Sequence, residues 1–216
     1  MDLDPGSLSI ADRYKLMIGC IVPRPIAWVS TISAEGRLNL APFSFFAGVG
    51  SNPMTLLFCP ANKDDGTEKD SLRNAKPVGD GGVGEFVVSI VTEDLAARMA
   101  ACAEPLPHGE SEFELAGLTP APSARVRPPR VLESPACFEC RTLQVVRTNP
   151  GAPSGGNIVI GEILHVHVRD DIINARLHID SERLHAVGRM GGSGYCRTRD
   201  RFEMPMGRGA LAPRSV

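Results

Sequence analysis

The hydrophobic positions of this chain fall in short runs of strand length, separated by glycine and proline. GEFVVSIV (84–91) is the plainest, filled with β-branched and aromatic residues and preceded by turn residues. Residues 26–32 also read as a strand, because Pro23 and Pro25 forbid a helix ahead of them. A hairpin signal follows in SAEGRL (33–38), around Glu35-Gly36. Residues 39–53 are apolar but broken by Pro42, Gly48, Gly50 and Pro53, and 54–59 (MTLLFC) form another strand. Farther on, 135–147 and 157–169 read as a strand pair joined by TNPGAPSGG.

Helical patterns are fewer. Residues 9–19 predict a helix capped by Ser9, carrying Tyr14, Leu16 and Ile18 and ended by Gly19. A second is expected over 92–104, starting at Thr92, with Glu93 and Asp94 in its first turn and Leu95, Met99 and Cys102 on one face. Short helical pieces near 70–76 and 111–116 sit inside a long polar connection (60–84) and a Pro-rich one (105–130), and the chain from Asn174 onward reads as mostly loop. The pattern predicts a single domain over 1–216, mainly β with inserted α-helices, arranged as a small barrel.

Composition narrows the function classes. The 22 Gly and 18 Pro argue against a long-helix bundle. With 23 basic and 25 acidic residues, no global field draws in nucleic acid or anionic membrane. No apolar run reaches bilayer length, and MDLDPGSLSIADRY lacks the basic–apolar pattern of a secretory signal. A cytoplasmic protein with reduced thiols is expected.

Several motifs invite chemistry and are better read otherwise. Cys137 and Cys140 form a CxxC, but on a strand they point to opposite faces and cannot share a metal. His165 and His167 share a face, yet no Cys, Asp or Glu at a persuasive spacing completes a metal site, so no metal is expected. Neither a Rossmann nor a Walker A glycine loop is present. The arginines of the tail (Arg183, Arg189, Arg197, Arg199, Arg201, Arg208, Arg214) lack an aromatic platform for nucleic acid and read as surface and subunit contacts.

The informative regions are 23–46 and 69–74. Ser30 and Thr31 present hydroxyls, while Asn39 and Ser44 lie beside Phe43, Phe45 and Phe46. Donors next to flat apolar surface suit a planar heteroaromatic with a polar edge. In KDSLRN (69–74), Asp70 is expected to cap a short helix with its carboxylate held by the backbone. Lys69, Ser71 and Arg73 or Asn74 are then placed to complete an anion site at the helix start.

PRPIAWVST (23–31), NLAPFSFF (39–46), KDSLRN (69–74), GEFVVSIV (84–91), AGLTPAPS (116–123), IVIGEILHVHV (158–168) and GRMGGSGYCRTRDRFEM (188–204) together resemble the flavin reductase-like, FMN-binding split-barrel family, in its flavoredoxin and nitrilotriacetate monooxygenase component B group. The resemblance spans about residues 12–204. It implies a split β-barrel homodimer with FMN near the subunit interface. By its motifs, Thr31, Asn39, Ala41, Pro42 and Ser44 match the flavin-contacting strand and loop, Lys69, Asp70, Ser71 and Asn74 the phosphate end, and Tyr195 a terminal segment beside flavin or partner. Cys59 stands where Ser is common in the family, and ANKDDGTE (61–68) with KPVGDGG (76–82) lengthens the phosphate-side loop. The implied activity is FMN reduction by NADH or NADPH, with reduced flavin supplied to a partner monooxygenase. It needs no catalytic acid, base or nucleophile from the protein, because the cofactor carries the chemistry. A non-enzymatic FMN-bound electron carrier and a flavin-free binding module of the same fold are the alternatives.

Overall fold

Two strands that end the same sheet are joined by a link of two residues, and this shapes the molecule. The computed structural model describes residues 1–107 and 110–211; residues 108–109 of the Pro-rich stretch and Arg214 of the tail lie outside them. In chain order the elements are α1 (Ile10–Cys20), β1 (Ala27–Ile32), β2 (Leu38–Phe43), β3 (Phe46–Ser51), β4 (Met54–Phe58), α2 (Asp70–Ala75), β5 (Glu85–Ile90), α3 (Ala96–Ala101), α4 (Glu112–Leu115), β6 (Pro120–Ala121), β7 (Arg130–Val131), β8 (Ala136–Arg147), β9 (Asn157–Val168), α5 (Ser181–Leu184), β10 (Val187–Arg189) and β11 (Tyr195–Arg197). The main sheet is antiparallel in the order β2-β1-β5-β8-β9-β4-β3. Laid flat, its edges would stand about 29 Å apart. Only Ser44 and Phe45 connect them, a reach of about 11 Å. The sheet must therefore curl until β2 and β3 approach, but they do not pair. The result is the expected mainly β split barrel with inserted helices.

Residues in the centre of the sheet are apolar on both faces because both faces are covered. On β1, Ala27 and Val29 join one cluster with Phe43, Phe58, Leu72, Phe86 and Val159, whereas Trp28 joins another with Leu40, Leu95, Met99, Phe113 and Leu118. Phe58 packs against Phe43 and Phe86 with ring centroids 5.2 and 5.1 Å away. Register shifts at Glu139/Cys140 and Thr142/Gln144 bend the long β8–β9 ribbon. Gly161 is where β9 meets the Phe86 ring: a Cβ there would lie 2.5 Å from Phe86 Cζ and 3.3 Å from Cys140 Cβ.

Several expectations are corrected by tertiary contacts. α1 begins after Ser9, which accepts from Asp12 N, but continues past Gly19 to Cys20. Residues 39–53 form two strands, since Pro42 lies on the edge strand β2, where a missing N–H costs nothing. The helix after Thr92 is only Ala96–Ala101: Thr92 Oγ1 bonds Asp94, and Glu93 pairs with Arg197 and Arg199 rather than with a helix dipole. The tail is not all loop; β10 and β11 form a hairpin beyond α5. Four of its arginines make ion pairs at the surface, Arg201 with Glu182, Arg183 with Asp180, and Arg197 and Arg199 with Glu93.

Cys137 and Cys140 are buried in different clusters, as strand geometry required, and every cysteine is a free thiol. His165 and His167 do share a face, their rings 4.6 Å apart. The partner that spacing did not reveal is Glu139 on β8, whose Oε1 lies 2.5 Å from His167 Nε2. Glu139 is fully buried and also accepts from Ala124 N (2.7 Å) and Arg125 N (2.6 Å), tying the 122–130 segment to the sheet. The same segment bonds β1 through Ser30 and Pro129 O. Among the described residues no group of three His, Cys, Asp or Glu side chains could hold a metal ion.

Two stability outcomes follow from this packing. Gly161→Ala forces a methyl against buried Phe86 and lowers unfolding free energy by about 1–3 kcal/mol in urea titrations. Burial alone would raise the Glu139 carboxyl, but the Ala124 amide, His167 and the Arg125 amide more than offset it and hold it below its ordinary value of 4.5. Its stabilisation is therefore complete above that value and fades as pH falls through the lower folded pKa. Glu139→Ala costs roughly 3 kcal/mol at neutral pH, and the gap to wild type narrows on acidification.

Candidate functional site

The ends of β1 and β2 meet the start of α2 through side-chain hydrogen bonds. Thr31 faces Asn39 across the ladder. Asn39 Nδ2 donates to Thr31 Oγ1 (3.1 Å) and to Ser71 Oγ (3.0 Å), and Asn74 Nδ2 donates to Thr31 Oγ1 (3.1 Å). Ser71 and Asn74 are three apart on α2, so they present one face of the helix to the strands. Thr31, Ser71 and Asn74 are buried, and Leu72 and Ala75 anchor the opposite side of the helix in the barrel core. No protein acceptor among the described residues takes the Ser71 hydroxyl proton, and no donor satisfies Asn39 Oδ1 or Asn74 Oδ1. The network is rigid and still has hydrogen-bonding capacity to offer.

That capacity borders a cavity of about 540 Å³. Asn39, Ala41 and Pro42 form its β2 wall, and Lys69, Asp70, Ser71 and Asn74 its α2 wall. Behind α2 the 76–83 loop closes tightly: a Cβ on Gly82 would lie 2.0 Å from Lys76 O. The cavity carries charges of both signs, with Glu104, Glu110 and Glu112 on its wall as well as Lys63 and Lys69. Arg73 is held by Asp70 at 2.6 Å and the Lys63 ammonium acts on the Asp65 carboxylate, whereas the Lys69 ammonium has no carboxylate partner among the described residues. Lys69 beside Ser71, with two amide side chains, makes a donor set for an anionic, hydrogen-bonding ligand at this end of the cavity. The small Ala41 and Pro42 give it a flat apolar stretch.

The sequence-derived residues thus divide into two groups. Thr31 supports the cavity from behind, and Asn39, Ala41, Pro42, Lys69, Asp70, Ser71 and Asn74 line it. Asp70 differs from expectation: it is the first residue of α2, Lys69 takes the cap position without a side-chain bond, and the Asp70 carboxylate binds the Arg73 guanidinium instead of backbone. Ser44 and Tyr195 lie elsewhere. Buried Arg24 donates to Ser44 Oγ (3.2 Å) and to the carbonyls of Ile18 (2.7 Å), Ile21 (2.8 Å) and Met190 (3.1 Å), and Arg189 lies 4.4 Å over the Tyr195 ring. These contacts join α1, the β2–β3 link and the C-terminal hairpin. Cys59 is not on the cavity, and burial pushes its thiol up.

Two cavity residues were not singled out by their sequence context. Lys63 sits in the polar ANKDDGTE stretch, where composition reads only as loop. Glu112 lies some seventy positions from β2, yet its Oε2 accepts from Leu40 N at 2.9 Å. The nearby Cys102 thiol is pushed up to about 12 by burial and is no nucleophile at neutral pH.

Known proteins share this architecture. Residues 18–187 match the family described as "Flavin reductase like domain". A protein of Deinococcus radiodurans is 43% identical over 208 residues, covering 93% of this chain and 87% of its own length. The structure of nitrilotriacetate monooxygenase component B from Bacillus cereus superposes with a TM-score of 0.87 at 34% identity, covering 94% of this chain and 98% of that one. Pseudomonas fluorescens 2-nitrobenzoate 2-nitroreductase superposes with a TM-score of 0.83 at 28% identity over the whole of both chains. With its seven-stranded split barrel and its match over residues 18–187, the chain belongs to the flavin reductase-like family.

Proposed function

We propose that this flavin reductase-like oxidoreductase binds FMN in the cavity between β2 and α2 and reduces it with NADH or NADPH. The observation that carries the reading is the coincidence, on one 540 Å³ cavity, of the Lys69 ammonium, which no carboxylate among the described residues pairs, with the Thr31–Asn39–Ser71–Asn74 network. The donor set fits the cofactor. Lys69 and Ser71 would hold the phosphate, with Asn74 beside them and Asp70 keeping Arg73 in place. Asn39 would meet a polar ring edge, while Ala41 and Pro42 supply its flat apolar support. A bound flavin supplies the hydride-accepting chemistry; the side chains bind it, orient it and hold it still, and none has to act as acid, base or nucleophile.

The chain is further proposed to work as a homodimer. Every residue of β3 from Ala47 to Ser51 is exposed on the sheet edge, and α1 buries none of its residues while exposing Ile10, Tyr14, Leu16 and Met17. An open strand edge beside an unpartnered amphipathic helix is a surface that a second copy would cover. Ser44 and Tyr195 adjoin this side and are proposed to reach flavin only there. Among the described residues no helix is long and apolar enough to cross a membrane. A separate monooxygenase is the proposed recipient of reduced flavin, by analogy with the B. cereus neighbour, itself a monooxygenase component.

Three measurements test this reading. Titration with FMN followed by anaerobic NADH or NADPH bleaches the flavin absorbance; an unbleached spectrum removes the reductase assignment, and flavin retained stoichiometrically through gel filtration marks an electron carrier instead. Lys69→Ala and Ser71→Ala each weaken FMN binding by about 1–3 kcal/mol in fluorescence titrations. Val49→Asp on the exposed edge of β3 shifts the protein from dimer to monomer in light scattering, and a wild type that is already monomeric refutes the interface.

A further inference from the structure

Glu112, on α4, is an acid of the cavity wall whose carboxyl is bonded to a barrel strand. The outward side of β2 explains why. Antiparallel pairing directs alternate residues of an edge strand away from their neighbour, and Leu40 N points outward to Glu112 Oε2 at 2.9 Å. By the same alternation position 42 also points outward, and as proline it has no N–H to offer. Leu40 lies between Asn39 and Ala41, both on the cavity, so the carboxyl that holds the Leu40 amide also sets the strand carrying those two residues. Glu112 is itself fixed: Ser111 caps its helix by accepting from Phe113 N, and Phe113 is buried against Leu40, Trp28 and Met99.

Among the described residues no cation forms an ion pair with it. Glu35 has Arg37 and Asp70 has Arg73, whereas Glu112 holds the Leu40 amide instead. The groups facing it are the Leu40 amide from β2, the Asp70 carboxylate from α2 and the Cys102 thiol from α3; Glu104 and Glu110 share its wall, and Lys63 and Lys69 stand among the cavity's cations. Burial foremost, with the Asp70 charge a smaller contribution, disfavours the ionised form, only partly offset by the amides of Leu40 and of Glu112 itself. An anion entering the cavity adds repulsion of the same sign.

We propose that Glu112 is a positioning residue of this site, which sets the outward edge of β2 and couples occupancy of the cavity by an anionic ligand to uptake of a proton on its own carboxyl. The inference rests on the flavin reading for the choice of FMN as probe. Coupling of this kind is reciprocal: if the bound anion favours protonated Glu112, lower pH favours binding.

The test is titration calorimetry of the full-length chain with FMN in buffers of different protonation enthalpy, repeated across the acidic and neutral range. Glu112→Gln keeps an oxygen acceptor for Leu40 N but cannot titrate. Glu114→Gln, on the exposed side of the same short helix, is the control. Wild type and Glu114→Gln are expected to take up more protons per FMN than Glu112→Gln, and their affinity to rise more steeply as pH falls. The phosphate of FMN titrates in all three proteins and cancels in the difference. Equal proton counts and equal pH slopes for wild type and Glu112→Gln overturn the inference while leaving FMN binding intact. A wild type that binds no FMN overturns the flavin reading itself, and this inference with it.

Discussion

Everything in this molecule follows from how little chain separates Phe43 from Phe46. β2 and β3 close opposite ends of a seven-stranded sheet, and a link of Ser44 and Phe45 forces those ends together. A flat sheet cannot satisfy that link, so the strands wrap around Phe43, Phe58 and Phe86. Glycine at 161 lets the wall close onto the Phe86 ring. The curled sheet leaves β2 as a free edge, and a free edge has backbone groups to satisfy and side chains to display. α2, α4 and the loop ahead of α2 gather along it, and the cavity is the space they leave.

The site is thus more a consequence of the seam than an addition to it. Asn39 and Ala41, two apart on β2, share the face that lines the cavity, and Ser71 and Asn74 are aimed at it because Leu72 and Ala75 are buried behind. Burying Thr31, Ser71 and Asn74 would be costly without partners, and their mutual hydrogen bonds remove that cost while preserving donors and acceptors for a ligand. The rim charges are arranged likewise: Asp70 neutralises Arg73 within the protein, and no carboxylate among the described residues pairs with Lys69.

Much of this was legible in the sequence, for identifiable reasons. Strand length and β-branched content placed β5, β8 and β9, and the two-residue periodicity of strands set Cys137 and Cys140 on opposite faces. NLAPFS and KDSLRN pointed to β2 and α2 and to most residues on the cavity. What failed depended on distant partners. The helix after Thr92 is short because Glu93 is taken by Arg197 and Arg199, about a hundred residues away. Glu139 found two amides and His167, and Glu112 met Leu40 across the fold. Local spacing carries no record of such pairings. Ser44 and Tyr195 parted from the other site residues because the β2–β3 link and the terminal hairpin converge on Arg24, not on α2.

The most direct examination of the central claim is a crystal structure of the protein grown with FMN. The account predicts the phosphate within hydrogen-bonding distance of Ser71 Oγ and beside the Lys69 ammonium, with the ring along Asn39, Ala41 and Pro42. A phosphate lodged away from α2, or a cavity that stays empty at saturating FMN, would contradict it.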